Sequence, residues 1–121
     1  KSLSDVQMHF TNRMSGIIAS KGRRMMGWNE IYGHDVNGDG GGKASSKLNT
    51  NAVIHFWKGN TDLAKNAIKD GHEVVNSLHS STYLDYSYGR ISLQKASGFE
   101  PALPGIPPDL RLRGGRLDTF R

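Results

Sequence analysis

Ala52-Val53-Ile54-His55-Phe56-Trp57 is the most informative stretch of the chain. A nearly continuous apolar run of this length reads as a parallel strand buried on both faces, whereas a half-solvated antiparallel strand alternates. Asn51 on one side and Lys58-Gly59 on the other bound the run. Working outward, Met25-Met26-Gly27-Trp28 predicts an earlier strand over residues 24–28, and Val74-Val75 a later one over residues 73–77. A helix over residues 62–70 joins the last two strands, with Leu63, Ala67 and Ile68 on its apolar face. Asn60 or Thr61 can cap it, and Gly71 stops it. Ahead of the first strand, Val6, Phe10, Met14, Ile17 and Ile18 recur at helical spacing. They predict a helix over residues 4–21 that buries this stripe, with Ser4 and Gln7 as a capping box and Gly22 as the left-handed stop.

The order helix, strand, loop, strand, helix, strand implies crossover units and a parallel sheet. Three parallel strands alone leave two edges and one face poorly covered. The pattern therefore predicts part of a larger α/β fold, with a small three-stranded α/β domain as the alternative.

Net charge is +5, yet the segment 111–121 supplies +3 of it through four arginines and one aspartate. The rest of the chain has no basic stripe, so nucleic acid is not the expected partner. No run approaches the ~18–20 apolar residues of a membrane-spanning helix. The absence of cysteine excludes disulfides and thiolate metal sites. Phosphate-binding loops, dinucleotide fingerprints and nucleophile elbows are also missing, and no cofactor is expected.

Several residues stand out as candidates. Trp28 and Trp57 end predicted strands, on the side where α/β barrels carry their active sites. There, indoles make flat apolar walls for the C–H face of a sugar ring. The competing reading is core packing. Tyr83 and Asp85 follow the third strand and offer a phenolic donor and a carboxylate acceptor, or else a structural loop with solvated tips. Glu30 reads as a general acid or as a plain loop carboxylate. Asp35-Val36-Asn37-Gly38-Asp39-Gly40 matches the first half of a calcium loop, but Lys43 and Ser46 stand where further oxygen ligands belong. No metal site is therefore assigned. His55 reads as a buried, hydrogen-bonded histidine.

Together these segments resemble glycoside hydrolase family 20, the β-N-acetylhexosaminidases. The likeness is carried by Gly22-Arg23-Arg24-Met25-Met26-Gly27-Trp28-Asn29-Glu30-Ile31, then Ala52 to Gly59, then Ala64 to Ser77, and then Tyr83-Leu84-Asp85. Phe99-Glu100-Pro101 fits the stretch beyond. The resemblance implies a partial TIM (β/α)₈ barrel, about strands five to seven, over residues 1–108. It implies a basic tail over residues 109–121 that is unlike the family and is expected to be disordered.

By the same resemblance, Trp28 and Trp57 wall the pocket of a terminal N-acetylhexosamine. Tyr83 hydrogen-bonds the acetamido carbonyl, and Asp85 holds sugar hydroxyls. The partners implied are glycans ending in N-acetylglucosamine or N-acetylgalactosamine. The mechanism implied is substrate-assisted hydrolysis, outside the two-carboxylate scheme. The family's catalytic Asp-Glu pair belongs to the preceding strand, so these 121 residues are expected to be inactive by themselves. Members are usually secreted, periplasmic or lysosomal. A non-catalytic carbohydrate-binding module and a basic interaction protein acting through its arginine tail remain the alternatives.

Overall fold

A computed structural model of the chain describes residues 2–33, 43–106 and 112–114. Helix α1 spans Leu3–Ser20 and leads into strand β1, Met26–Trp28. A 3₁₀ turn, Asn29–Tyr32, follows. Strand β2 is Val53–Phe56, helix α2 is Thr61–Lys69, and strand β3 is Val74–Asn76. Short helices α3, His79–Thr82, and α4, Leu93–Ser97, precede strand β4, Leu112–Gly114. The sheet has the order β1-β2-β3-β4 and every pairing is parallel.

Local chemistry sets the helix ends. Asn60 accepts from the Asp62 N–H as the cap of α2. Both long helices close on a left-handed glycine, Gly22 at φ 72° and Gly71 at φ 98°. At each, the two residues past the cap return N–H groups to carbonyls of the last turn: Gly22 to Ala19 and Arg23 to Ile18, Gly71 to Ile68 and His72 to Ala67. That paired pattern needs a positive φ, which costs glycine nothing.

The core lies on one face of the sheet. Ile54, Phe56 and Val74 point into it and meet Ala64, Ala67 and Ile68 of α2. Met8, Ala44, Leu48, Ala52 and Leu103 complete the cluster. The crossover before β2 and the chain after α4 thus cover the same face as α2.

Two expectations are corrected. First, α1 is capped by Ser2 rather than Ser4. Its hydroxyl accepts from the Asp5 N–H, while the Asp5 carboxylate accepts from the Ser2 N–H. Second, three of the five residues of the apolar stripe of α1 face outward, while Met14 and Ile18 are half-buried. Phe10 is 64% exposed and Val6 and Ile17 are about half exposed, whereas Ser4, Met8, Thr11 and Ser15 are buried. The cause is what α1 packs on. It lies against the turn after β1 and the crossover at residues 43–49, where Met8 joins Ala44 and Leu48 in the core and most of the other contacts are hydrogen bonds. Asn12 donates to the Lys47 carbonyl at 2.9 Å and accepts from the Asn49 N–H at 2.7 Å. Asp5 accepts from the Ser45 N–H and hydroxyl. Of the tail, residues 112–114 are described and form β4, with Leu112, Arg113 and Gly114 paired to Val74, Val75 and Asn76. Backbone pairing needs no apolar side-chain pattern, so the sequence of the tail does not announce it. The calcium-like segment 35–40 lies outside the described residues. Among the described residues, no helix is long and apolar enough to cross a membrane.

Candidate functional site

Strand alternation builds the site. Along β2, Ile54 and Phe56 are buried toward α2, so Val53 and His55 turn to the opposite, more open face. On β1, Met26 and Trp28 are likewise exposed, Trp28 at 51%. Register aligns Trp28 with His55. Their rings stack with centroids 4.4 Å apart and planes 23° from parallel. Burial lowers the His55 pKa, so the ring under Trp28 is held neutral. Its Nε2 shares a hydrogen bond with the Ser77 hydroxyl at the end of β3.

Trp57 leaves β2 at the same end of the sheet. It stands edge-on to Trp28 at 6.3 Å. On its other side lies Tyr83, nearly parallel, with centroids 6.0 Å apart and planes 14° from parallel. His79 meets both rings edge-on, and its Nδ1 lies 3.1 Å from the Tyr86 hydroxyl. Arg90 sits over the Tyr86 ring, 4.0 Å from its centroid. The aromatic row Trp28, Trp57, Tyr83 therefore spans the C-terminal ends of β1, β2 and β3.

The electrostatics favour a neutral phenol. Burial raises the Tyr83 pKa first, and the neighbouring Tyr86, Asp85 and Glu30 raise it further. Tyr83 stays protonated and able to donate. Asp85 is exposed, two residues on, and close enough for its charge to act on that phenol. Glu30 accepts from Trp57, with both carboxylate oxygens 3.1 Å from the indole Nε1. Asn29 is buried beside it, accepting from the Trp57 N–H at 3.1 Å and donating to the Lys58 carbonyl at 3.0 Å.

The structure thus brings Trp28, Trp57, Tyr83 and Glu30 together and leaves Asp85 at the rim. Sequence reasoning missed His79, Tyr86 and the bridging role of Asn29. It expected the hydrogen bond of His55 but not its place under Trp28. A usable signal for His55 was its position between Ile54 and Phe56, which sends it to the opposite face.

A second depression, about 490 Å³, lies on the helix side between residues 43–50 and the end of α2. Its polar groups bind one another. The Tyr32 hydroxyl donates to Asp70 at 2.5 Å, Lys47 reaches the other Asp70 oxygen at 3.4 Å, and His72 Nδ1 lies 2.9 Å from the Ala52 carbonyl. Those bonds tie the crossover to α2, and the aromatic end of the strands carries the recognisable chemistry.

The family model for the catalytic domain of glycosyl hydrolase family 20 matches residues 1–102. The chain belongs to that family. The match takes in α1, β1, β2, α2, β3 and α4 and ends before β4. The catalytic domain of family 20 is a TIM barrel, and parallel strands with helices on one face are consistent with part of one. In such barrels the active site lies at the C-terminal ends of the strands, where this family 20 chain gathers Trp28, Trp57 and Tyr83. Family 20 membership also makes hexosamine-containing glycans the relevant substrate class.

Proposed function

We propose that this chain supplies part of the pocket for the terminal N-acetylhexosamine of a β-N-acetylhexosaminidase, built on strands five to seven of the barrel. Trp28 and Trp57 are the apolar walls. Tyr83 donates its hydroxyl proton to the acetamido carbonyl, and Asp85 accepts from sugar hydroxyls at the rim. The observation that carries this reading is the Trp57–Tyr83 stack, which sets a phenolic donor beside an indole wall at the C-terminal ends of the strands.

In substrate-assisted hydrolysis the acetamido oxygen attacks the anomeric carbon and the glycosidic oxygen leaves with a proton. A donor fixed against the acetamide holds the attacking oxygen near the anomeric carbon, which lowers the entropic part of the barrel enzyme's barrier. Glu30 is not placed to protonate the leaving oxygen, because its carboxylate accepts from the Trp57 indole. The aspartate that orients the acetamide and the glutamate that protonates the leaving group belong, by resemblance, to the preceding strand. The 121 residues are therefore proposed to bind sugar without hydrolysing it.

Titration with N-acetylglucosamine and with glucose, followed by tryptophan fluorescence, tests the pocket. N-acetylglucosamine is expected to bind more tightly, and Tyr83→Phe is expected to erase most of that preference. Loss of one neutral hydrogen bond corresponds to a change of about five- to tenfold. Equal affinity for the two sugars in the unmodified chain rules the acetamide contact out. Hydrolysis of a chromogenic N-acetylglucosaminide by the purified chain, abolished by Glu30→Gln, overturns the statement about catalysis.

A further inference from the structure

Trp57 is gripped twice by one dipeptide. Strand β1 ends at Trp28, where the backbone turns into the 3₁₀ helix and leaves the ladder with β2. The Asn29 carboxamide, whose residue is only 3% exposed, takes over from the lost pairing. It accepts from the Trp57 N–H and donates to the Lys58 C=O, as a strand's peptide group would. One residue on, the Glu30 carboxylate accepts from the indole Nε1–H with both oxygens at 3.1 Å. An indole has no other polar handle, so a single carboxylate fixes its rotation. Hydrogen bonds to a charged acceptor are about twice as strong as neutral ones. Tyr83 then meets a ring whose backbone and edge are both held.

We propose that Asn29 and Glu30 act together as positioning residues for the Trp57 wall of the sugar pocket. The inference rests on the pocket reading above for its consequence, although the clamp itself is independent of any sugar. Glu30 acts through Trp57 and makes no step of the reaction.

The test uses the full chain and two readouts. The chain has two tryptophans, so its proton–nitrogen spectrum shows two indole N–H signals, assigned with Trp57→Phe. Glu30→Ala is expected to move the Trp57 indole signal upfield and to speed its proton exchange about tenfold, with the Trp28 signal unmoved. Glu30→Gln keeps an acceptor oxygen and is expected to restore most of both. Affinity for N-acetylglucosamine is expected to fall about tenfold in Glu30→Ala and to recover in Glu30→Gln. Rescue by glutamine distinguishes positioning from mere destabilisation, and Glu30→Gln also serves if Glu30→Ala does not fold. An unmoved Trp57 signal in Glu30→Ala overturns the clamp, as does a moved signal with unchanged sugar affinity. If the unmodified chain fails to bind N-acetylglucosamine while its indole signal responds as expected, the pocket reading falls and the clamp stands.

Discussion

Helices α1 and α2 both carry apolar stripes, and the chain uses them oppositely. The nine residues of α2 bury Ala64, Ala67 and Ile68 against Ile54, Phe56 and Val74. The eighteen residues of α1 bury Ser4, Met8, Thr11 and Ser15 and leave Leu3, Val6, Phe10 and Ile17 exposed. One consequence is a buried Ser15 hydroxyl with no hydrogen-bond partner among the described residues. Helix α2 is held by apolar burial inside its own β2–α2–β3 crossover. The attachment of α1 leans on polar bonds from Asp5 and Asn12 to the crossover segment. Periodicity tells which side of a helix can be buried; which side is buried depends on what the chain lays beside it.

Core truncation probes that contrast most strongly. Ile68→Ala is expected to cost about 2–4 kcal/mol in urea unfolding. Ile17→Ala, on the exposed side of α1, is expected to stay within about 0.5 kcal/mol. Equal costs would erase the distinction between the helices. The polar tether comes next. Asn12→Ala removes bonds to Lys47 and Asn49, and a loss of about 1 kcal/mol is expected. Amide exchange should quicken in α1 and not in α2, and quickening in both would show that the helices open as one unit.

Acid gives the smallest and most selective effect. The Ser45 backbone and hydroxyl, then Ser2, hold the Asp5 carboxyl well below the usual carboxylate range. The Tyr32 hydroxyl, aided by Lys47, lowers Asp70 at the end of α2. Both folded-state values lie below the unfolded ones. Their stabilisation is therefore present above the ordinary carboxylate pKa and fades as pH falls toward the folded values. Burial of neutral His55 adds to the loss on acidification in the same direction. Asp5→Asn should remove the part of this acid sensitivity that appears in α1 amide exchange and leave the α2 part. Unchanged acid sensitivity of α1 in that variant would show that another group governs it.

The sheet was legible because its signals are local. The apolar runs around Trp28, Ile54 and Val74 locate β1, β2 and β3 to within two residues, and Gly22 and Gly71 mark both long-helix ends. Trp28, Trp57 and Tyr83 could be placed at one end of the strands because strand ends follow from the runs. The outward stripe of α1 was illegible because it depends on a packing partner. The pairing of Leu112–Gly114 was illegible because Leu112-Arg113-Gly114 carries no apolar run like those that mark the other three strands. Asn29 escaped for a related reason: a carboxamide that substitutes for a peptide group leaves no pattern in spacing or hydropathy.

Strand β2 interleaves two jobs with a period of two. Ile54 and Phe56 serve the core, while His55 and then Trp57 serve the aromatic row. Heritable variation at this strand is therefore divided by position. Exchanges at residues 55 and 57 alter the aromatic row, while 54 and 56 keep the scaffold foldable. A single inserted or deleted residue forfeits both at once. Point substitution can thus reshape the aromatic row and spare the core, and a frame change along the strand cannot.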